Sequence, residues 1–475
     1  MKLFFYLMLF VVPLYAEDVT PVSFADLKEK MNMEGMRPWR QPDYSHQENA
    51  IGYETGAFAV PAGMEERVSF WIDIYTKYST DQGLLHDSFY VNAVYEVIDF
   101  TDIMNNESLN NYQKQRARAK RVKERKLAVQ NRLLKLSKYK SPAGLDGEDL
   151  RYWYMFAKSD EMNKFRVAAS KKRLRFQLGQ RDRFIKGIFL SGRHLEEMEK
   201  IFKDYNLPIE LTRLPFVESS FNYKARSHVG ASGIWQFMRY AARPYLKLNL
   251  SVDERNDPLK STVAAAKLLR NNYKILENWP LAVTGYNHGP AGVRRLVRKY
   301  NTTNLVELID IRKGRFGFAS ANFYASFLAA LEVEKNAEVL FNQKLFWDQA
   351  HDGQEIILSK NMSVKELVHL FDGDDALAKR YNAHLRSAVW KDKVRIERRN
   401  FIRVPSAKVD YAVNYIKDLK SAKLYNAKTY KVAHGDTFSD IAHSFGIRLQ
   451  ELMNANSNIN PRRLRPGQKI YIPIK

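Results

Sequence analysis

Glu218 is the one carboxylate in the apolar run Leu214-Pro215-Phe216-Val217-Glu218-Ser219-Ser220-Phe221. A carboxyl set among apolar side chains is costly to ionise, so its pKa rises and it holds a proton near neutral pH. A group that protonates a glycosidic oxygen needs that property. A glycosidase working with two carboxylates needs the second roughly 5 to 9.5 Å from the first. Glu210 lies eight residues earlier, about 12 Å along an ideal helix. A bend at Pro215 does not close that gap. Asp253, Glu254 and Asp257 fall in a later loop, with nothing local to draw them in. The pattern favours one protein carboxylate, with the substrate supplying the other group.

Two further clusters carry polar groups on small-residue turns. In Gly230-Ala231-Ser232-Gly233-Ile234-Trp235-Gln236-Phe237 the small residues allow close backbone approach, and Gln236 brings a donor and an acceptor. Trp235 offers a flat face for a sugar ring. In Thr284-Gly285-Tyr286-Asn287-His288-Gly289-Pro290 a helix ends in a phenol and an amide at a loop mouth. His288 has no metal-like partner at suitable spacing and reads as a surface or capping histidine. No metal or cofactor is expected.

These residues need a scaffold, and the chain divides by texture. Residues 1–16 read as a signal peptide: Lys2, an apolar run from Leu3 to Val12, then Leu14-Tyr15-Ala16 before Glu17. That run is too short to span a bilayer comfortably, so no integral span remains after cleavage. Residues 17–66 lack any lasting period and read as a loosely structured leader. Residues 67–200 form a basic, aromatic-rich helical region. There Phe70, Trp71, Ile74, Tyr75 and Tyr78, and also Tyr95, Val97 and Phe100, fall at helical spacings. Within it, twelve Lys/Arg between Lys114 and Lys140 face only Glu124, which reads as a solvated basic helix. Residues 201–335 carry the well-patterned helices around Glu218. The order strand, helix, helix, strand over 428–475 is a small closing module. Residues 344–405 repeat that rhythm imperfectly, without the Gly435-Asp436-Thr437 turn. The expected class is mainly α with a small C-terminal βααβ module.

Taken together, the clusters resemble the lytic transglycosylase catalytic domain, the soluble transglycosylase and goose-type lysozyme family. Its Glu-Ser pair stands here as Glu218-Ser219, its Gly-Leu-Met-Gln as Gly233-Ile234-Trp235-Gln236, and its Ala-Tyr-Asn as Gly285-Tyr286-Asn287. A later aromatic motif corresponds to Asn322-Phe323-Tyr324-Ala325. The departures are Ile234-Trp235 for Leu-Met and Gly285 for Ala. The closing module resembles a LysM domain through Gly435-Asp436-Thr437, Asn454, Asn456 and Pro466-Gly467-Gln468.

The resemblance implies a lysozyme-like helical fold that cuts the MurNAc–GlcNAc β-1,4 bond of peptidoglycan without water, leaving 1,6-anhydroMurNAc ends. It makes Glu218 the acid. Ser219 and Tyr286 would orient it, Gln236 and Asn287 would hold substrate groups, and Tyr324 and Trp235 would line the cleft. It places glycan binding in the LysM module at Gly435, Asp436, Thr437, Asn454, Asn456, Pro466 and Gly467. A plain hydrolase of the same bond and a non-catalytic wall-binding scaffold remain open alternatives.

Composition narrows the setting. With 76 Lys+Arg against 53 Asp+Glu, a net charge of +23 and a pI near 9.7, the chain favours polyanionic partners. Export to the periplasm and cell envelope directs that charge to cell-wall peptides, teichoic-type polymers and anionic lipid head groups rather than nucleic acid, and the expected partner is peptidoglycan, bound through its glycan strands. With no cysteine, disulfides, thiolate metal sites and anchoring through a lipid-modified cysteine are excluded.

Overall fold

A computed structural model describes residues 36–475 except 46, 48, 53–55, 312–315, 421–426, 457–458 and 474–475, so the expected signal at 1–16 lies outside the described residues. The chain divides into two units. The first joins the residues up to Phe221 with Ala266–Gln349; the second joins Asn222–Ala265 with Ala350–Lys475. The stretch 201–335 contributes 201–221 and 266–335 to the first unit and 222–265 to the second.

At the centre of the first unit is the helix Phe318–Lys335, apolar nearly all round and buried along most of its length. A helix with no polar stripe must be covered on every side. Glu65–Thr76, Trp279–His288 and the short helix Leu214–Ser219 all pack on it. Asn278 caps the second of these by accepting from the Leu281 amide at 3.0 Å, and Pro280 sits in its first turn.

The region 67–200 is not all helical. Gln82–Asp87 is the middle strand of an antiparallel sheet between Val94–Asp99 and Leu174–Leu178. Tyr95 and Val97, expected on a helix, lie in the second of these strands. Local spacing cannot register the pairing that decides it; Val94, Val97 and Ile98 are the β-branched residues such pairing favours. The basic helix does form, as Asn111–Leu136, and buries only Val129, Leu133 and Leu136. Carboxylates outside it meet much of its charge: Asp102 takes Arg121 in a two-pronged pair at 2.6 Å, Glu96 takes Arg125 at 2.6 Å, and Asp149 takes Arg132 at 3.2 Å.

The expected loose leader is, over its described part, pinned to the first unit. Arg37–Pro38 pairs with Phe346–Trp347. The Gln47 amide donates to Glu210 at 2.9 Å and accepts from the Ile209 N–H at 2.6 Å. Phe58 packs edge-on against Phe327. A segment without a period can still be held by single side chains reaching a core made elsewhere.

In the second unit a strand pair encloses short helices twice, with a third helix, Ser387–Trp390, present in the first case. Gly353–Ile357 pairs antiparallel with Phe401–Pro405 around Val364–His369 and Asp375–Tyr381. Ala427–Lys431 pairs with Lys469–Pro473 around Phe438–Ser444 and Leu449–Ala455. The same lock closes each module. Asn382 donates to Ala378 O and Arg403 O at 3.1 and 2.9 Å and accepts from Arg403 N at 2.8 Å. Asn456 donates to Leu452 O and Tyr471 O at 2.9 and 2.8 Å and accepts from Tyr471 N at 2.8 Å. Asn456 is thus a buried brace, not the glycan contact its motif position implied. Asn456→Ala removes three bonds and strands buried backbone groups, which costs about 2–3 kcal/mol. Amide hydrogen exchange over 427–473 in the full chain should accelerate by the corresponding factor, with exchange elsewhere unchanged.

Candidate active site

The local fold around Glu218 starts with a tight turn, Ile209–Arg213, followed by the short helix Leu214–Ser219. Pro215 falls in the first turn of that helix, where its missing N–H costs nothing, so it opens a helix instead of bending a longer one. The helix stops because Ser220 and Phe221 both turn left-handed, at φ 49° and 52°. Their amides bond back to Phe216 O and Pro215 O, each at 3.2 Å. A left-handed phenylalanine is strained by about 1–2 kcal/mol. Packing holds it there: Phe221 is fully buried edge-on to Phe216, and Phe216 stacks on Phe184 at 4.7 Å. Gly187 makes room, since a Cβ there would lie 3.1 Å from Ser220 O.

Glu218, in the last turn, is half-buried. Burial alone pushes its carboxyl up to about 8. Among the described residues no cation offsets that cost and no donor bonds the carboxylate. The side chain therefore carries a proton at neutral pH and still keeps an accessible edge. Ser219 is buried, and its hydroxyl donates to Pro215 O at 3.3 Å.

Tyr286 ends the helix Trp279–His288 and stacks nearly parallel on Phe323, 6.4 Å between rings. Its phenol is pushed above its ordinary value by burial, and further by the charge of Glu218. The two groups thus lie within electrostatic reach. Asn287 Oδ1 accepts from Ser320 at 3.2 Å, and Ser320 also meets His288 Nδ1 at 3.0 Å. Ser320, on the central helix, went unnoticed in the sequence, although it stands two residues before the Asn322-Phe323-Tyr324 cluster. Tyr324 does not line an open cleft. It is 1% exposed, with its hydroxyl unbonded among the described residues.

Gln236 and Trp235 belong to the second unit. Gly233 must be glycine, for φ is 79° and a Cβ would lie 1.8 Å from Arg255 O. Gln236 is left-handed at φ 46°. Its amide nitrogen donates to Gly233 O at 2.7 Å, while its oxygen accepts nothing among the described residues. Arg255, also missed, ties the loop ends by donating to Gly230 O at 2.7 Å and Phe237 O at 2.9 Å. Asp253 fixes that guanidinium at 2.7 Å. Trp235 is fully buried and donates to Thr262 Oγ1 at 2.9 Å. With both indole faces covered, it is a core residue and not a platform for sugar.

The other carboxylates weighed as partners are engaged. Glu210 is buried on Gln47. In the second unit Asp257 pairs with Arg403 at 2.9 Å, and Glu254 accepts from the Lys247 amide at 2.6 Å. A rate set by the protonated form of Glu218 therefore has one basic limb. The kcat/KM profile should be flat on the acid side and fall about tenfold per pH unit above about pH 8. A fall beginning near pH 4.5, the ordinary value, contradicts this assignment.

In the closing module, Gly435 is left-handed at φ 88°, the Asp436 carboxylate accepts from the Ala433 amide at 2.7 Å, and Thr437 caps the first helix. Gly467, at φ 82°, donates to Val432 O at 2.7 Å. These residues shape the turns. The side chain of Asn454 lies outside the described residues. Pro466 lines a cavity of about 530 Å³ together with Ile459, Asn460, Arg463, Arg465 and Gln468.

Comparison with known proteins finds two families along the chain. Residues 198–308 match the family described as Transglycosylase SLT domain, and residues 430–473 match the LysM domain. The chain is 25% identical over 282 residues to Membrane-bound lytic murein transglycosylase D of Escherichia coli (strain K12), covering 57% of this chain and 61% of that protein. The match thus spans about three fifths of that relative's length. A Putative tributyltin chloride resistance protein of Alteromonas sp. (strain M-1) is 39% identical over 95 residues, 19% of this chain and 45% of its own. Intracellular hyphae protein 1 of Colletotrichum lindemuthianum is 38% identical over 56 residues, 12% of this chain and 24% of its own. Among the described residues no helix is long and apolar enough to cross a membrane.

Proposed function

We propose that the chain is a peptidoglycan lytic transglycosylase of the cell envelope, held on murein by its LysM domain. The carrying observation is the lone carboxyl of Glu218, desolvated without a counter-charge and pushed up to about 8. In this reading the Glu218 proton passes to the oxygen of the MurNAc–GlcNAc β-1,4 bond as that bond breaks. The muramyl N-acetyl oxygen stabilises the anomeric carbon. Glu218, now a carboxylate, takes the proton of the muramyl 6-hydroxyl while that oxygen closes the 1,6-anhydro ring. A nucleophile carried by the substrate has a high effective concentration and needs no second protein carboxylate. Tyr286 keeps its phenol proton and orients the Glu218 carboxyl, while Asn287 serves substrate amide or hydroxyl groups. The module over 353–405, closed by the same asparagine lock, is a degenerate LysM-like unit.

Mass spectrometry of sacculi digested by the full chain tests the reaction type. Anhydro-muropeptides are the expected products. Reducing muramyl ends in their place would make the enzyme a hydrolase, and no cleavage at all would leave a wall-binding scaffold.

A further inference from the structure

We propose that Arg175 and Lys126, in the first unit, form a carboxylate-binding subsite for the peptide branches of the glycan. The inference rests on the transglycosylase reading above. Arg175 sits on the strand Leu174–Leu178, directly across from His86 on the middle strand. Its guanidinium lies over the Phe318 ring, 3.9 Å from the centroid, and the His86 ring is 5.6 Å from the same phenyl. Arg175 Nε is shielded from water and makes no hydrogen bond among the described residues. Lys126, on the basic helix, is close enough for the charge of Arg175 to act on it. Burial, and then Arg175, pull its ammonium below the ordinary lysine value.

Neither cation has a carboxylate partner among the described residues. That sets them apart from their neighbours: Arg121, Arg125 and Arg132 on the same helix find acids, and Arg173, in the turn before the strand, takes Asp87 at 2.8 Å and Glu161 at 2.9 Å. Two adjacent, partly desolvated like charges cost stability unless something anionic is brought to them. The flat guanidinium, with one face covered by an aromatic ring, presents the fork that a carboxylate fits in two bonds. On the proposed substrate the sugar backbone is uncharged and the anions are the carboxylates of the peptide stems.

Position supports the same assignment. Phe318 opens the central helix, whose Ser320 bonds Asn287 and whose Phe323 stacks on Tyr286. Phe323 follows Phe318 by five positions along the helix, an axial rise of about 7–8 Å. A stem on a sugar next to the reacting one spans such a distance.

The test compares KM for soluble glycan strands that keep their peptides with KM for strands stripped by an amidase. Arg175→Gln should raise the ratio of the two KM values about tenfold, and Lys126→Gln should raise it by a smaller factor. Arg175→Lys should recover part of the loss. An unchanged ratio in both glutamine variants overturns the subsite. If Arg175→Gln fails to fold, Lys126→Gln, on a water-lapped helix, decides alone. Titration of the full chain with a free stem peptide, followed by NMR, does not need cleavage. It should show binding that weakens in Lys126→Gln, even if product analysis disproves the transglycosylase reading. If inorganic phosphate binds in this Lys126-dependent way and the stem peptide does not, the subsite is not for peptide and the proposal falls.

Discussion

Glu218→Gln is expected to lower kcat on purified sacculi by about 10³-fold or more, the range that loss of a positioned acid commands. Glutamine keeps the shape and loses the transferable proton. Its effect on stability should have the opposite sign. The Glu218 carboxyl is raised from 4.5 to about 8 in the fold, so its neutral form is the one the fold favours. Below about pH 4.5 folded and unfolded chains are both protonated there and the group costs nothing. As pH climbs towards 8 only the unfolded chain ionises, so the wild type loses stability across that window. The loss is of order 3 kcal/mol for a half-buried group. The glutamine variant escapes it. Its thermal midpoint at about pH 8.5 should exceed that of the wild type, and the two should converge near about pH 4. A variant both inactive and less stable at every pH would mean that Glu218 holds the fold together.

Arg213→Met should produce the largest loss of stability. Arg213 immediately precedes the Glu218 helix and is 2% exposed. Its guanidinium pairs with Glu334 at 2.7 Å and with Glu199, and lies 5.1 Å from the Tyr44 ring centroid. Glu334 is itself buried and also accepts from the Tyr44 hydroxyl at 2.9 Å. Removing the cation strands a buried carboxylate, at about 3–5 kcal/mol. Urea unfolding of the full chain should show that loss, and Arg213→Lys should not restore it, because a compact ammonium lacks the planar spread by which Nε meets Glu334 and Nη1 meets Glu199. Replacing Glu334 by Met in the same chain should recover most of the stability, since the stranded charge is then gone.

The candidate groups stand out in the sequence because their features are local. Glu218 shows its apolar neighbours within four residues, and Tyr286-Asn287 end a helix that the sequence marks clearly. The closing module was legible for the same reason, as a short order of strand, helix, helix and strand. What failed depends on partners distant in sequence. Trp235 looks like a sugar platform until Thr262 takes its N–H and the core closes over both faces. Tyr95 and Val97 follow a helical spacing that is overridden by strand pairing, Val97 opposite Leu84 and Tyr95 at the register shift between Leu85 and His86 of the neighbouring strand. Asn456 matches a binding motif, yet its amide is spent on Leu452 and Tyr471. The leader's Gln47 and Phe58 carry no local sign that Ile209 and Phe327 await them. Polarity and period are written along the chain; burial is not.

The central claim is that one unpaired acid is protonated when it meets the glycan. Carbon-13 NMR of the Glu218 carboxyl in the full chain, titrated across the neutral range and identified by its absence from Glu218→Gln, measures this directly. The account predicts an apparent pKa near 8, far above the ordinary 4.5. A carboxyl already ionised at pH 6 would contradict it.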